Sequence, residues 1–177
     1  MSEVRTPHAV AEAIRTRKSK RVGIDGTHDS GKSTVARAVA GILGVKLFSL
    51  DDYLVKEQGG FLEFIEYDRL RGDVGAVDAY VIEGVCLLHA LKRATVAIDS
   101  LVYVKRLQLG LWADETELEI DEPLEAFLEK ERELTAIVAG DGEPVSDLGL
   151  DGEIIRYHYV ARPQDVADIV FLRDDDR

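Results

Sequence analysis

The sequence predicts an α/β fold in which a mostly parallel central sheet is covered by helices on both faces, three layers in all. Short apolar runs at 21–25, 45–50, 79–84, 100–104 and 167–172 alternate with stretches of helical spacing. The passage from Arg21 to Leu50 closes one strand–helix–strand unit, of about 30 residues as such crossovers require. A glycine-rich turn, Gly26 to Gly31, separates the strand of that unit from its helix.

Each element has its own signal. Thr6-Pro7 reads as an N-cap followed by proline at the first helical position. The helix it opens runs to about Lys18, with Val10, Ala13, Ile14 and Arg17 marking the spacing. Arg21–Asp25 is a short buried strand. From Lys32 onward, Val35, Ala36, Val39, Ala40 and Leu43 recur at helical spacing and Gly44 supplies a stop. Val45–Leu50 is the second strand. Between 51 and 78, Phe61, Leu62, Phe64, Ile65 and Leu70 suggest a short helix, while Gly59-Gly60 and Gly72 mark loops. Ala79–Gly84 is a buried strand ending in an acid and a glycine, Val85–Lys92 a short helix, and Ser100–Val104 the next strand. Pro123 to about Val138 is helical through Leu124, Phe127, Leu128, Leu134 and Ile137. Residues 139–152, with four glycines and Pro144, read as a loop, and Glu153–Val160 fits helix or strand. Pro163 starts a turn before the last strand, Ala167–Leu172, and the tail 174–177 is expected to fray. Ligands of such sheets sit at the carboxyl ends of the strands. Gly26, Asp51, Glu83 and Lys105 each lie just past a predicted strand and are expected to converge on one edge.

Size and composition narrow the function. A chain of 177 residues has room for one well-buried core and not for two ordinary domains, so 1–177 is read as a single domain. It is 46% hydrophobic and 32% charged, as expected of a soluble globular protein. A net charge of −12 argues against nonspecific nucleic-acid binding and against an anionic membrane surface. The amphipathic, charged N-terminus does not read as a signal peptide, and no apolar run is long enough to span a bilayer. One cysteine, Cys86, permits no internal disulfide and points to a reducing cytoplasm. Charge is unevenly spread: residues 111–155 hold fifteen Asp/Glu against only Lys130 and Arg132. Oligomeric state has no signal in the sequence.

The chemistry starts at Gly26-Thr27-His28-Asp29-Ser30-Gly31-Lys32-Ser33, which fits the phosphate-binding pattern G-x-x-x-x-G-K-[ST], with Thr34 next to it. The glycines let the backbone wrap a phosphate, the N–H groups and the helix N-terminus face it, and Lys32 adds a full positive charge. Ser33 is placed to hold Mg²⁺. The side chains of His28 and Asp29 occupy positions where the backbone does the binding. Phosphoryl transfer also needs a group that positions the attacking hydroxyl. Asp51, in Asp51-Asp52-Tyr53 after the second strand, is the candidate base, and Glu83 is the candidate acid beside the metal. The remaining histidines lack metal-ligand spacing. Trp112 and Tyr157-His158-Tyr159 read as packing, and Cys86 as a small buried side chain.

Together GTHDSGKST, FSLDDY, VIEGV and RYHYVARPQDVADIVF resemble the uridine kinase-like branch of P-loop small-molecule kinases. That branch includes nicotinamide riboside kinase and, more distantly, pantothenate kinase and phosphoribulokinase. Family members place S-x-D-[SD]-[FY] after the second strand and h-x-E-G-h, with h apolar, after the third. The resemblance implies a three-layer P-loop NTPase fold with a small helical lid, here over about 106–150, and the cofactors ATP and Mg²⁺. It implies that Asp51 accepts the proton of the substrate hydroxyl and that Lys32 and Ser33 contact phosphate and Mg²⁺. Glu83 would stand beside the metal, and Asp52 and Tyr53 near the acceptor. Pro163 and Ala167-Asp168 match a segment near the adenine pocket. Two departures stand out. The acceptor-binding F-D-H-P stretch of uridine kinases is matched only by Glu66-Tyr67-Asp68-Arg69, so Tyr67, Asp68 and Arg69 are the substrate-binding candidates. The family's arginine-rich lid is reduced to Lys105-Arg106 and, inside the acidic stretch, Lys130 and Arg132, leaving Arg106 and Arg132 as phosphate contacts.

The expected activity is therefore transfer of the γ-phosphoryl of Mg-ATP to a hydroxyl of a small nucleoside-like acceptor. Fifteen nearby acids favour a neutral or cationic acceptor over a phosphorylated one. The alternative is a regulatory or non-catalytic ATP-binding protein. A GTPase switch needs the asparagine of N-K-x-D, and the chain contains no asparagine. A motor or transporter subunit needs a larger domain and further signatures.

Overall fold

A computed structural model of the chain describes residues 2–55, 60–139 and 145–174. It begins with β1 (Ser2–Val4) and α1 (Pro7–Arg17), where Thr6 Oγ1 accepts the N–H of Ala9 at 3.2 Å and Pro7 takes the first helical position. β2 (Arg21–Asp25) passes through the glycine loop into α2 (Lys32–Leu43), which Gly44 ends. β3 (Lys46–Ser49) runs into a 3₁₀ turn at Leu50–Tyr53. Then follow α3 (Tyr67–Gly75), β4 (Tyr80–Glu83) and α4 (Leu87–Ala94), preceded by Cys86, which is buried with φ of 52°. β5 (Ser100–Gln108) and β6 (Leu111–Trp112) form a hairpin. The chain continues with α5 (Glu115–Leu118), α6 (Leu124–Ala139), α7 (Gly149–Ala161), α8 (Pro163–Val166) and β7 (Ile169–Asp174). No helix among the described residues is long and apolar enough to cross a membrane.

The seven strands form one sheet in the order β1-β7-β5-β2-β4-β3, parallel throughout except for β6, which pairs antiparallel with β5. The α/β class read from the sequence is the one observed. Strand alternation divides the core in two. Val22, Ile24, Val81, Val102, Val104, Ile169 and Phe171 pack against α1 and α2. Phe48, Tyr80, Ile82, Leu101, Tyr103 and Val170 pack on the other face with α3, α4 and α7.

Several sequence expectations shift. β1 was not anticipated, because three residues carry no periodicity; it pairs with the edge of β7. No helix forms over 61–65. Phe61, Leu62 and Ile65 are buried from a loop, with Glu153 accepting the N–H groups of Phe61 and Leu62 at 2.9 Å. Glu153–Val160 is helical, and α7 buries Ile154, Ile155, Tyr157 and His158 on one face. Because α7 starts at Gly149, the expected 139–152 loop is shorter. β5 does not stop at Val104: its pairing with β7 continues to Leu107↔Asp174, so Lys105 lies inside a strand. Of the tail 174–177 expected to fray, Asp174 instead closes β7, paired with Leu107, while 175–177, like Gly59 and residues 140–144, lie outside the described residues.

Gly84, just past β4, shows how tightly the carboxyl edge is packed. A Cβ there would stand 2.6–2.8 Å from the Leu50 side chain, which is fully buried. Gly84→Ala is expected to destabilise the fold by about 1–3 kcal/mol through overpacking, measured by urea unfolding.

Candidate functional site

The carboxyl edge of the sheet holds a cleft of about 680 Å³, lined by the glycine loop and by Lys32, Ser33, Asp51, Arg106 and Arg173. Strand register brings these together. Glu83 pairs with Ile24 on one side and Ser49 on the other, so β2, β4 and β3 end level. Gly31 opens α2 with φ of 86°, a left-handed conformation that favours glycine, and the Arg173 guanidinium packs over it. Arg173 Nη1 donates to Asp29 O at 2.9 Å, bracing the loop from β7. Lys32 Nζ donates to Thr27 O at 3.2 Å, which holds its ammonium over the loop.

Glu83 is buried, and both its oxygens accept hydroxyls: Ser33 Oγ at 3.1 Å and Ser49 Oγ at 2.6 Å. Magnesium is commonly held by one or two side chains plus phosphate oxygens and waters, and a hydroxyl–carboxylate pair at the glycine loop fits that donor set. Asp51 is exposed and faces the same cleft. Gly26, Asp51 and Glu83 thus converge as expected. Lys105 does not: its ammonium lies 4.0 Å from the centroid of the Trp112 ring, and the next residue, Arg106, faces the cleft instead.

Thr27 and Ser30 are buried, while His28, Asp29 and Thr34 are exposed. A second cavity, of about 270 Å³, adjoins the loop at Thr27, His28 and Asp29. Leu118, Leu148, Ile154 and Ile155 line it, together with the carboxylates Asp114, Glu117, Glu131 and Asp151. Burial, then the neighbouring Asp114, Glu131 and Asp151 charges, raise the Glu117 pKa.

The expected substrate-binding set packs beside the turn that carries Asp51: the Glu66 N–H donates to Tyr53 O at 2.8 Å and the Arg69 guanidinium lies 4.8 Å from the centroid of the Tyr53 ring. Tyr53 is buried, its hydroxyl donates to Asp73 at 3.0 Å, and burial pushes its pKa up to about 12. Tyr67 donates to Leu62 O at 2.5 Å, Asp68 pairs with Arg71, and Arg69 pairs with Glu66. None of the four lines the 680 Å³ cleft, and Asp52 is exposed beside Tyr53 in the 3₁₀ turn. Arg132 lines a different cavity, with Phe64, Glu153 and Arg156. Ala167 and Asp168 precede β7 at the opposite edge, where Asp168 accepts the Leu101 N–H at 2.9 Å and pairs with Arg17.

Four residues of this region were missed in the sequence. Asp114 accepts from Thr27 Oγ1 at 3.0 Å and from Arg106 Nη2 at 2.9 Å, linking the loop to α5. Arg173 braces the loop. Asp25, at the end of β2, is fully buried; one oxygen accepts the Gly26 N–H at 2.8 Å and the other accepts the Tyr157 hydroxyl. A polar residue closing an apolar strand was the available signal for Asp25; Tyr157 had none, since its partner is 132 positions away. Burial pushes the Asp25 pKa up to about 7 against the Tyr157, Gly26 and Lys32 contacts that favour its ionised form. Nearby His158 Nδ1 donates to Ile154 O at 2.8 Å, leaving Nε2 to accept from Tyr103 OH at 2.9 Å. Burial lowers the His158 pKa to about 4.

No family model matches the chain, and no curated protein matches it. Among solved structures, it is similar to shikimate kinase from Acinetobacter baumannii in complex with shikimate, at 13% identity and a TM-score of 0.43, over 91% of this chain and 86% of that one. A likeness of that degree carries no argument about chemistry.

The Asp25 carboxyl gives a signed pH dependence. Between about 4 and 7 the unfolded group is ionised while the folded one keeps its proton, so its contribution to stability falls as pH rises through that window. Asp25→Asn removes this term, whereas His158, working in the opposite direction, is common to both proteins. The unfolding free energy of Asp25→Asn relative to wild type should therefore rise from pH 4 to 7, by at most about 1.4 kcal/mol per unit, in urea titrations. A flat difference would place Asp25 in its ordinary range.

Proposed function

We propose that the chain is an ATP-dependent phosphotransferase that moves the γ-phosphoryl group of Mg-ATP to a hydroxyl of a small nucleoside-like acceptor. The observation that carries this reading is the meeting of Lys32, Ser33 and Asp51 on one cleft at the start of α2. Phosphoryl transfer asks a protein mostly for positioning and charge. The loop N–H groups and Lys32 would hold the β- and γ-phosphates, with Arg106 and Arg173 as further positive charge at the cleft wall. Asp51 would take the acceptor's proton as its oxygen bonds to phosphorus and the bond to ADP breaks. Ser33 and Glu83 would hold Mg²⁺ or its waters, which supplies neutralising charge to the phosphates. An apolar slot formed by Pro7, Val35, Ala38 and Phe171 beside Gly31 offers a seat for the donor's base.

The cavity between the loop and α5–α7 suits the acceptor, and α5–α6 would act as its lid. Its carboxylates support a neutral or cationic acceptor rather than a phosphorylated one. The finer likeness to uridine kinases rests on the Asp51 and Glu83 motifs, with the 66–69 stretch packed against Tyr53 in the turn that carries Asp51.

The test is Mg²⁺-dependent ADP release from ATP against a panel of nucleosides, nicotinamide riboside, sugars, pantothenate and nucleoside monophosphates. One acceptor should stimulate release. Asp51→Asn should cut that stimulated rate at least about 100-fold while retaining ATP binding. Ser33→Ala should raise the Mg²⁺ concentration for half-maximal rate about tenfold. A wild-type rate in Asp51→Asn would remove the base, and preference for a monophosphate would remove the acceptor class. ATP binding with no stimulation by any acceptor would favour the regulatory, non-catalytic alternative.

A further inference from the structure

The phosphate loop is anchored from below by a contact that phosphoryl transfer itself does not call for. Asp25 has no exposed surface and Tyr157 almost none. A buried carboxyl group is costly unless its oxygens are met, and here two donors meet them: the Gly26 N–H at 2.8 Å and the Tyr157 hydroxyl. The Tyr157 oxygen accepts in turn from the Leu88 N–H at 3.3 Å. One hydroxyl therefore joins the end of β2, the first turn of α4 and the middle of α7. Its ring is fixed independently by edge contacts with His89 and His158, at centroid distances of 4.9 and 5.1 Å.

The position of this contact gives it a consequence for the loop. Gly26 is the first loop residue, so the peptide that Asp25 holds sets where the turn begins. α7, which carries Tyr157, also lines the second cavity through Asp151, Ile154 and Ile155, opposite Thr27 and His28. The clasp thus ties one wall of that cavity to the loop that forms the other. A site that binds phosphate through converging N–H groups is sensitive to shifts of an ångström or less. The Asp25 oxygen on the Gly26 N–H fixes that peptide, and the Tyr157 hydroxyl on the other oxygen fixes the carboxyl group itself.

We propose that Asp25 and Tyr157 are positioning residues, a buried clasp that sets the first peptide of the phosphate loop and with it the loop's grip on the donor's phosphates. The proposal rests on the donor-binding reading above. In Tyr157→Phe the ring packing remains while Asp25 loses one donor. In Asp25→Asn the amide oxygen still accepts from Gly26, but an amide NH₂ replaces the oxygen that accepts the Tyr157 hydroxyl.

The experiment measures dissociation constants for Mg-ATP and for Mg-tripolyphosphate by calorimetry at 25 °C. Wild type, Tyr157→Phe, Asp25→Asn and the double variant are compared after near-UV circular dichroism shows each to be folded. Both probes should bind Tyr157→Phe about tenfold more weakly, by the same factor, because the loss lies with the phosphates and not the base. The double variant should be no weaker than the weaker single one, the signature of residues acting as a unit. A purely structural contact would lower the melting temperature and leave the affinities of the folded proteins unchanged. Wild-type affinity in folded Tyr157→Phe, or additive losses in the double variant, would overturn the clasp alone. Should Asp25→Asn not fold, Tyr157→Phe decides by itself. A wild-type protein that binds neither probe would end the donor-binding reading and the clasp together.

Discussion

The parallel register of β2 between β4 and β5 is the constraint on which the rest of the structure depends. Val22 and Ile24 face the α1–α2 layer, and Asp25 faces the other. A slip of one residue would exchange these faces along the whole strand. The hydrophobic pattern that fixes the core therefore also fixes the chemistry. Ile24↔Glu83 and Ser49↔Glu83 place one carboxylate between the strand that opens the glycine loop and the strand that delivers Asp51. Parallel pairing brings strand ends far apart in sequence to one line, and loop and turn then need only a few residues to reach the cleft.

Three carboxylates at this edge differ by environment rather than type. Asp51 stands in solvent. Glu83 is buried, with a serine hydroxyl on each oxygen. Asp25 is buried beneath the loop, one oxygen on a peptide and the other on a tyrosine. A fourth, Asp114, bridges Arg106 to Thr27 and so joins α5 to the loop. The positive groups are few and each is committed in part to the protein's own oxygens, Lys32 to Thr27 O, Arg106 to Asp114 and Arg173 to Asp29 O. The loop is thus held together by the same groups that are proposed to meet phosphate.

The fold was legible because its signals are local. Thr6-Pro7, the helical spacing after Lys32 and the apolar runs at 21–25 and 79–84 each declare an element within a few residues. So was the meeting of Lys32, Ser33, Asp51 and Glu83 at one edge of the sheet, since each ends or follows a strand or glycine turn in sequence. Illegible residues owe their position to contacts across the chain. Tyr157 meets Asp25 only because α7 packs under the sheet, and Asp114 meets Thr27 only because α5 folds back over the loop. Lys105 was misplaced because β5 and β7 support each other beyond the point where apolar residues run out. The 66–69 stretch was legible only as a motif match; its place beside the 3₁₀ turn is set by the Glu66–Tyr53 backbone bond and by Arg69 stacking on the Tyr53 ring.

Cys86 sits where two of these themes cross. It is the chain's single thiol, fully buried at the left-handed residue that starts α4, close enough to Asp25 for that charge to act on it. Burial first and the Asp25 charge second push its pKa well above the ordinary thiol range, so little thiolate exists in the closed protein. A thiol-reactive reagent can reach it only when the packing around α4 breathes apart. The rate of its modification is then a clock for opening beneath the glycine loop, carried by the native sequence without an added label.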